Sequence, residues 1–183
     1  MSYELDVLKL TCHRLDQANI PYMLTGSFAA NFYAVPRMTR DIDIVIEMHM
    51  PDMNKFFQLF QNDFYVNEDS IKEAINYNSM FNIIHNESIF KIDFIIRKDE
   101  SYRHVEFQRK RQVLLDNTKI WIVAPEDLII SKLFWAKDSC SEMQLRDVKN
   151  LIFSIKNLDN DYIIKWIQTL KLNAIYERLQ INA

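Results

Sequence analysis

Glycine is almost missing from this chain: there is one, Gly26, in 183 residues. Ordinary usage of about 7% would supply roughly 13. Turns elsewhere are left to Asn and Asp, so Gly26 marks a place where the backbone needs positive φ or must approach a ligand closely. Cysteine is scarce as well. Cys12 and Cys140 lie far apart and match no metal-ligand spacing, which reads as two reduced thiols of a cytoplasmic protein. The four histidines, His13, His49, His85 and His104, form no spaced cluster, so histidine metal ligation is not invoked. No apolar run approaches the ~20 residues of a membrane span, which argues against a membrane partner. The first ten residues carry Glu4, Asp6 and Lys9 and resemble neither a signal nor a transit peptide. One-sided charge is absent too: 22 Lys and Arg face 25 Asp and Glu, a net charge of −3. Nothing global advertises nucleic acid or an anionic membrane.

What remains is an ordinary globular composition, 49% hydrophobic and 26% charged. It is enough for one domain, or one core with a small appendage. Periodicity predicts an amphipathic helix over 3–18, a short strand over 22–25, a helix over 27–33 and a strand over 41–47. A helix starting near Pro51 presents Phe56, Phe57 and Phe60, and a second covers 69–76. Residues 79–85 and 89–97 read as a β-hairpin, 101–111 as a basic helix, and 113–116 with 119–123 as strands around an Asn117 turn. Residues 126–182 are helical in pattern, with breaks or caps at Ser141, Asp159 and Asn173. The expected architecture is α/β (α+β): an α/β core over 1–123 and a helical C-terminal part over 124–183.

The stretch 22–47 carries the chemistry. Gly26 sits between a short apolar strand and an Ala-rich helix start, with Ser27 beside it as a natural N-cap. Free N–H groups at such a helix start suit a phosphate. Fourteen residues after Ser27 comes Asp41, with Asp43 two further on. On a strand the two share one face, and side-by-side carboxylates repel unless a cation lies between them. Oxygen-ligated Mg²⁺ is the natural candidate. Asp93 lies in the apolar run Phe90-Lys91-Ile92-Asp93-Phe94 and shares a face with Lys91. It needs a partner there, and Lys91 is one candidate.

Gly26-Ser27, a helix, then Asp41-x-Asp43 on a strand resembles the nucleotidyltransferase superfamily of DNA polymerase β. The likeness runs roughly over 22–151 and is nearest the small prokaryotic branch of abortive-infection toxins and minimal and antibiotic-modifying enzymes. It implies a mixed sheet flanked by helices, with Asp93 completing a catalytic, metal-binding triad with Asp41 and Asp43. Asp41 and Asp43 would hold the nucleotide-bound Mg²⁺; Asp93 would help hold a second ion and activate the acceptor hydroxyl. Gly26 and Ser27 would grip the β- and γ-phosphates of an NTP such as ATP. Arg37-Met38-Thr39-Arg40-Asp41 is similar to the lead-in of related enzymes, with Arg37 or Arg40 reaching phosphate and the other balancing charge. The segment around Lys132 looks like the toxin branch's lysine-bearing helix, whose lysine faces the triphosphate; the alternative is a lysine that snorkels to water. Arg146-Asp147 matches the branch's Arg-Asp segment, although Lys149 and Asn150 stand where a second acid is expected. Asp147 is therefore a nucleotide-site residue or a structural partner for a cation. Six Lys and Arg against three acids over 97–111 read as an RNA-facing patch or a solvated face.

The reading is a cytoplasmic Mg²⁺-dependent nucleotidyltransferase moving an NMP to a hydroxyl of tRNA, a protein or an antibiotic. The resemblance further implies a toxin of a toxin–antitoxin or phage-defence pair, with an antitoxin partner. The alternative is a catalytically silent nucleotide-binding or interaction protein on the same fold; a metal-dependent nuclease is a third, with no need of the Gly26-Ser27 turn.

Overall fold

The computed structural model describes residues 3–39, 41–139 and 141–179. The chain separates into two compact units, one of 1–28 with 39–123 and one of 29–38 with 124–183. Residues 29–38 thus belong with the helical segment rather than with the sheet.

The first unit is built on a mixed sheet. Its strands are β1 (Tyr22–Thr25), β2 (Asp41–Ile46), β3 (Phe64–Tyr65), β4 (Met80–His85), β5 (Lys91–Ile96), β6 (Arg111–Leu115) and β7 (Thr118–Ile122), in the order β3-β4-β5-β2-β1-β7-β6. β2 runs parallel to β5 and antiparallel to β1. The helices of this unit are α1 (Tyr3–Gln17), α3 (Met53–Phe60), α4 (Glu68–Tyr77) and α5 (Ser101–Gln108); α2 (Gly26–Tyr33) starts here and continues into the second unit. Leu24, Ile44, Phe94 and Phe81 stand opposite one another across four strands, forming a row on one sheet face. Phe56 and Phe60 of α3 pack on that face, with ring centroids 5.0 and 6.1 Å from Phe94. Phe56 also meets Phe81 edge-on at 5.3 Å. The opposite face is set by the same alternation and carries Thr25, Asp43, Asp93 and Asn82 in the matching row.

With glycine confined to Gly26, other residues take the remaining left-handed positions. Asn19, Asn78, Asp116 and Asn117 have φ of 52, 47, 47 and 64°, and Ile89 and Lys171 join them at 56 and 55°. Consecutive positive φ at Asp116 and Asn117 makes a type I′-like hairpin turn. That turn extends the β6–β7 ladder to Arg111 opposite Ile122, so the expected basic helix stops at Gln108. The two-residue β3 escaped the sequence pattern, being too short for a period of two to register.

The second unit contains α6 (Pro125–Ser139), α7 (Glu142–Ser154), α8 (Asn160–Thr169) and α9 (Asn173–Glu177). Ser141 caps α7 by accepting from the Gln144 N–H, and Asp159 caps α8 by accepting from Tyr162 at 2.9 Å. α6 is buried along most of its length and packs against α7, α8 and α9. Among the described residues no helix is long and apolar enough to cross a membrane.

Phe56 is fully buried against the rings of Phe60, Phe81 and Phe94. Phe56→Ala is expected to lose about 3–5 kcal/mol of unfolding free energy, read from urea denaturation.

Candidate active site

The parallel register of β2 and β5 sets Asp43 directly beside Asp93 and Asp41 beside Lys91. On the other side of β2, β1 places Thr25 beside Asp43. All four charged residues share one sheet face, since positions two apart along a strand do. Asp93 is buried, at 5% exposure, whereas the Asp41 side chain is 54% exposed. Lys91 Nζ lies 2.7 Å from Asp93 Oδ2 and 3.5 Å from Asp41 Oδ1. The hydrogen bond to Asp93 raises the Lys91 pKa above its ordinary value despite partial burial, and the charge of Asp41 adds to it. The other Asp93 oxygen, Oδ1, is buried without a hydrogen-bond partner. Lys91 is thus a partner of Asp93, as one sequence reading has it, yet it satisfies only half of the carboxylate.

Gly26 has φ of +65°. A Cβ on it would fall 1.9 Å from Asp43 Oδ2, 2.6 Å from Cγ and 2.9 Å from Cβ. The position therefore demands glycine twice over, for its backbone and for its neighbour. That neighbour is the Asp43 carboxylate, which the sequence alone does not single out as the approaching group. α2 begins at Gly26, so Ser27 lies inside the first turn instead of capping it. The turn brings the start of α2 against the Asp43 carboxylate.

Among the described residues no three His, Cys, Asp or Glu side chains converge as a ready metal cage. The arrangement nevertheless fits a divalent cation held by fewer protein ligands. Mg²⁺ commonly takes one or two carboxylates and completes its shell with water and substrate phosphate. Asp41 and Asp43 on one strand face supply such a pair, the Gly26 turn abuts it, and the orphaned Asp93 oxygen shows a site short of a partner.

Within the second unit Asp147 collects two cations. Arg37 Nε and Nη2 donate to its two oxygens at 2.9 Å each, and Lys132 Nζ donates to Oδ2 at 2.8 Å. Lys132, 3% exposed, also donates to Gln144 at 3.0 Å. Its head is therefore held inside an ion-pair network and does not snorkel to water. Burial pushes the Asp147 carboxyl up, but the hydrogen bonds from Arg37 and Lys132 outweigh this and hold it below the usual range. Asn31 fixes the Arg37 backbone, donating to its carbonyl at 2.7 Å and accepting from its N–H at 2.9 Å. Arg40 lies outside the described residues.

The basic segment 97–111 is largely spent inside its own unit. Arg97 pairs with Glu47 at 2.8 Å, Arg103 with the buried Glu106 at 2.8 Å, and Lys110 lies 4.0 Å over the Phe107 ring. The Glu47 partner of Arg97 lies 50 residues away and is illegible in the sequence, whereas the other two pairs are three residues apart and follow from helix spacing.

Neither a protein-family model nor a curated protein matches the sequence. Solved structures do match its fold. An antigenic nucleotidyltransferase-like protein from Paracoccidioides brasiliensis aligns with a TM-score of 0.60 at 16% identity, covering 98% of this chain and 93% of that one. ANT(2'')-Ia in complex with adenylyl-2''-tobramycin gives 0.61 at 12% identity, over 97% and 99%. A lincomycin-bound lincosamide antibiotic adenylyltransferase gives 0.53 at 16% identity, over 82% and 96%. The chain has the nucleotidyltransferase-like fold, a mixed sheet flanked by helices.

Gly26→Ala should lower stability by at least about 1 kcal/mol, because Ala at positive φ is strained and its Cβ meets Asp43. Thermal melts of Gly26→Ala, Asp43→Ala and the double variant check this. The double variant should cost less than the sum, since trimming Asp43 relieves the clash.

Asp147→Asn should cost about 3–5 kcal/mol at neutral pH, since it leaves the Lys132 charge buried and poorly compensated. The folded carboxyl is depressed, so its contribution is present above the unfolded pKa of about 3.9 and lost as pH falls through the folded value. The variant's stability should therefore fall less steeply on acidification than wild type, in urea titrations from pH 7 to pH 3.

Proposed function

We propose that the chain is a divalent-metal-dependent nucleotidyltransferase, moving a nucleoside monophosphate from an NTP to an acceptor hydroxyl with release of pyrophosphate. One observation carries the reading. Asp43 and Asp93 are set side by side, Gly26 abuts Asp43, Asp41 stands on the same face, and a buried Asp93 oxygen is left without a partner. The fold it shares with an antibiotic adenylyltransferase supports the same conclusion.

In this reading Asp41 and Asp43 hold Mg²⁺, which when bound neutralises triphosphate charge. Gly26 and Ser27 offer N–H groups to the β- and γ-phosphates. The acceptor oxygen bonds to the α-phosphorus, the bond to the bridging oxygen breaks, and pyrophosphate leaves with that electron pair. The hydroxyl proton goes to the Asp93 carboxylate. Fixed N–H groups and charges cost no reorganisation as charge builds on the phosphorus. Arg37, Arg40, Lys132 and Asp147 keep their assignment as nucleotide-binding residues on the resemblance of their segments, with Asp147 holding Arg37 and Lys132 in place. The same resemblance supports a cytoplasmic toxin of a toxin–antitoxin or phage-defence pair, with an antitoxin as partner. Acceptors consistent with it are tRNA, a protein hydroxyl and a small antibiotic.

A second reading, a catalytically silent nucleotide-binding or interaction protein on the same fold, is favoured by Lys91. Its ammonium already neutralises part of the acidic cluster.

Incubating the protein with Mg²⁺ and each labelled NTP, against total tRNA, cell lysate and an aminoglycoside and lincosamide panel, separates the two. Label should pass to one acceptor class, and Asp43→Asn should reduce transfer at least 100-fold, about 2.7 kcal/mol in the barrier. A protein that gains thermal stability from Mg²⁺ and NTP but labels nothing is the silent binder. Equal transfer by Asp43→Asn would remove Asp43 from the site.

A further inference from the structure

Lys91 stands two residues before Asp93 on β5 and directly opposite Asp41 on β2. Its ammonium and the three carboxylates therefore occupy one surface of the sheet. Nζ reaches Asp93 Oδ2 at 2.7 Å and Asp41 Oδ1 at 3.5 Å, and so bridges the two strands. A second divalent ion shared between Asp41 and Asp93 would need this same place. Two cations cannot share it, because they repel and compete for the same oxygens. Among the described residues no three His, Cys, Asp or Glu side chains gather as a metal-holding group. The Lys91 side chain is 37% exposed while that of Asp93 is 8%, so the lysine brings its charge to a buried carboxylate from the open side of the site. That placement leaves Asp93 Oδ1 free and Oδ2 taken.

Resting on the nucleotidyltransferase reading, we infer that Lys91 is a built-in cation that replaces one of two metal ions, so that the site works with a single divalent ion. Asp41 and Asp43 hold that ion with the triphosphate. Lys91 neutralises Asp93 and orients its carboxylate through Oδ2. Lys91 is a positioning residue: it acts through Asp93.

The test counts metal. Full-length protein with an equimolar amount of α,β-methylene-ATP, which cannot transfer its nucleotidyl group, is titrated with Mn²⁺ and followed by electron paramagnetic resonance. Wild type should bind one Mn²⁺ per chain in the ternary complex. Lys91→Met, which keeps the apolar stem and loses the charge, should bind two, and Lys91→Arg should return the count to one. Circular dichroism reports whether each variant is folded. Two Mn²⁺ per wild-type chain would overturn the inference, whether or not Lys91→Met folds. A folded Lys91→Met that still binds one would also overturn it and reduce Lys91 to an ordinary ion pair. Failure of wild type to bind either the analogue or Mn²⁺ would instead remove the nucleotidyltransferase reading, and this inference with it.

Discussion

Placing like charges side by side is the constraint around which the first unit is arranged. The parallel register of β2 on β5 sets Asp43 against Asp93, and β1 brings Gly26 into contact with Asp43. Adjacent carboxylates on neighbouring strands repel, and one of these is buried, so the arrangement persists only with compensating positive charge. Lys91 provides part of it. The remaining unsatisfied oxygen on Asp93 is a local defect by the standards of a folded core, where buried polar groups are normally paired. Defects of this kind are concentrated where a protein meets a ligand, because a ligand supplies the missing partner.

The sheet beneath supplies the rigidity that such a cluster requires. On one face the row Leu24, Ile44, Phe94 and Phe81 is sealed by Phe56 and Phe60 of α3. On the other, the same backbone positions shifted by one carry Thr25, Asp43, Asp93 and Asn82. A register slip of one residue would exchange the two rows and bury the acids among phenylalanines, so the apolar packing also enforces the geometry of the site. The second unit solves a different electrostatic problem. Asp147 is buried with two cations, and its two oxygens are filled by a bidentate arginine and a lysine. A pair of this kind contributes little net stability compared with apolar packing, but removing one member is costly because the remaining charge stays buried.

Part of the basic run over 97–111 is paired inside the folded chain. Six cations against three acids suggest an open positive surface. In the folded chain Arg97 and Arg103 are taken by Glu47 and Glu106, and Lys110 lies over Phe107. Of these, only the Arg97–Glu47 pair draws on an acid from outside the segment.

Much of the fold was legible in the sequence because it follows from local backbone geometry. A period of two is enough to put Asp41 with Asp43 and Lys91 with Asp93 on shared faces, and a period of 3.6 places the helices. The single glycine points to a special backbone position, since positive φ is a property of one residue and its neighbours. Turn chemistry is local too, with Asn and Asp taking positive φ at residues 19, 78, 116 and 117. Pairings between distant segments were not legible. That Asp93 joins Asp43 was implied only by the family resemblance; that Lys91 faces Asp41 and that Gly26 makes room for a carboxylate depend on which strands become neighbours and in what register. Asp147 meets Arg37 from 110 residues away and Lys132 from 15. Alternation fixes the face on which a side chain stands, whereas its partner is chosen by long-range packing, and only the tertiary structure decided that.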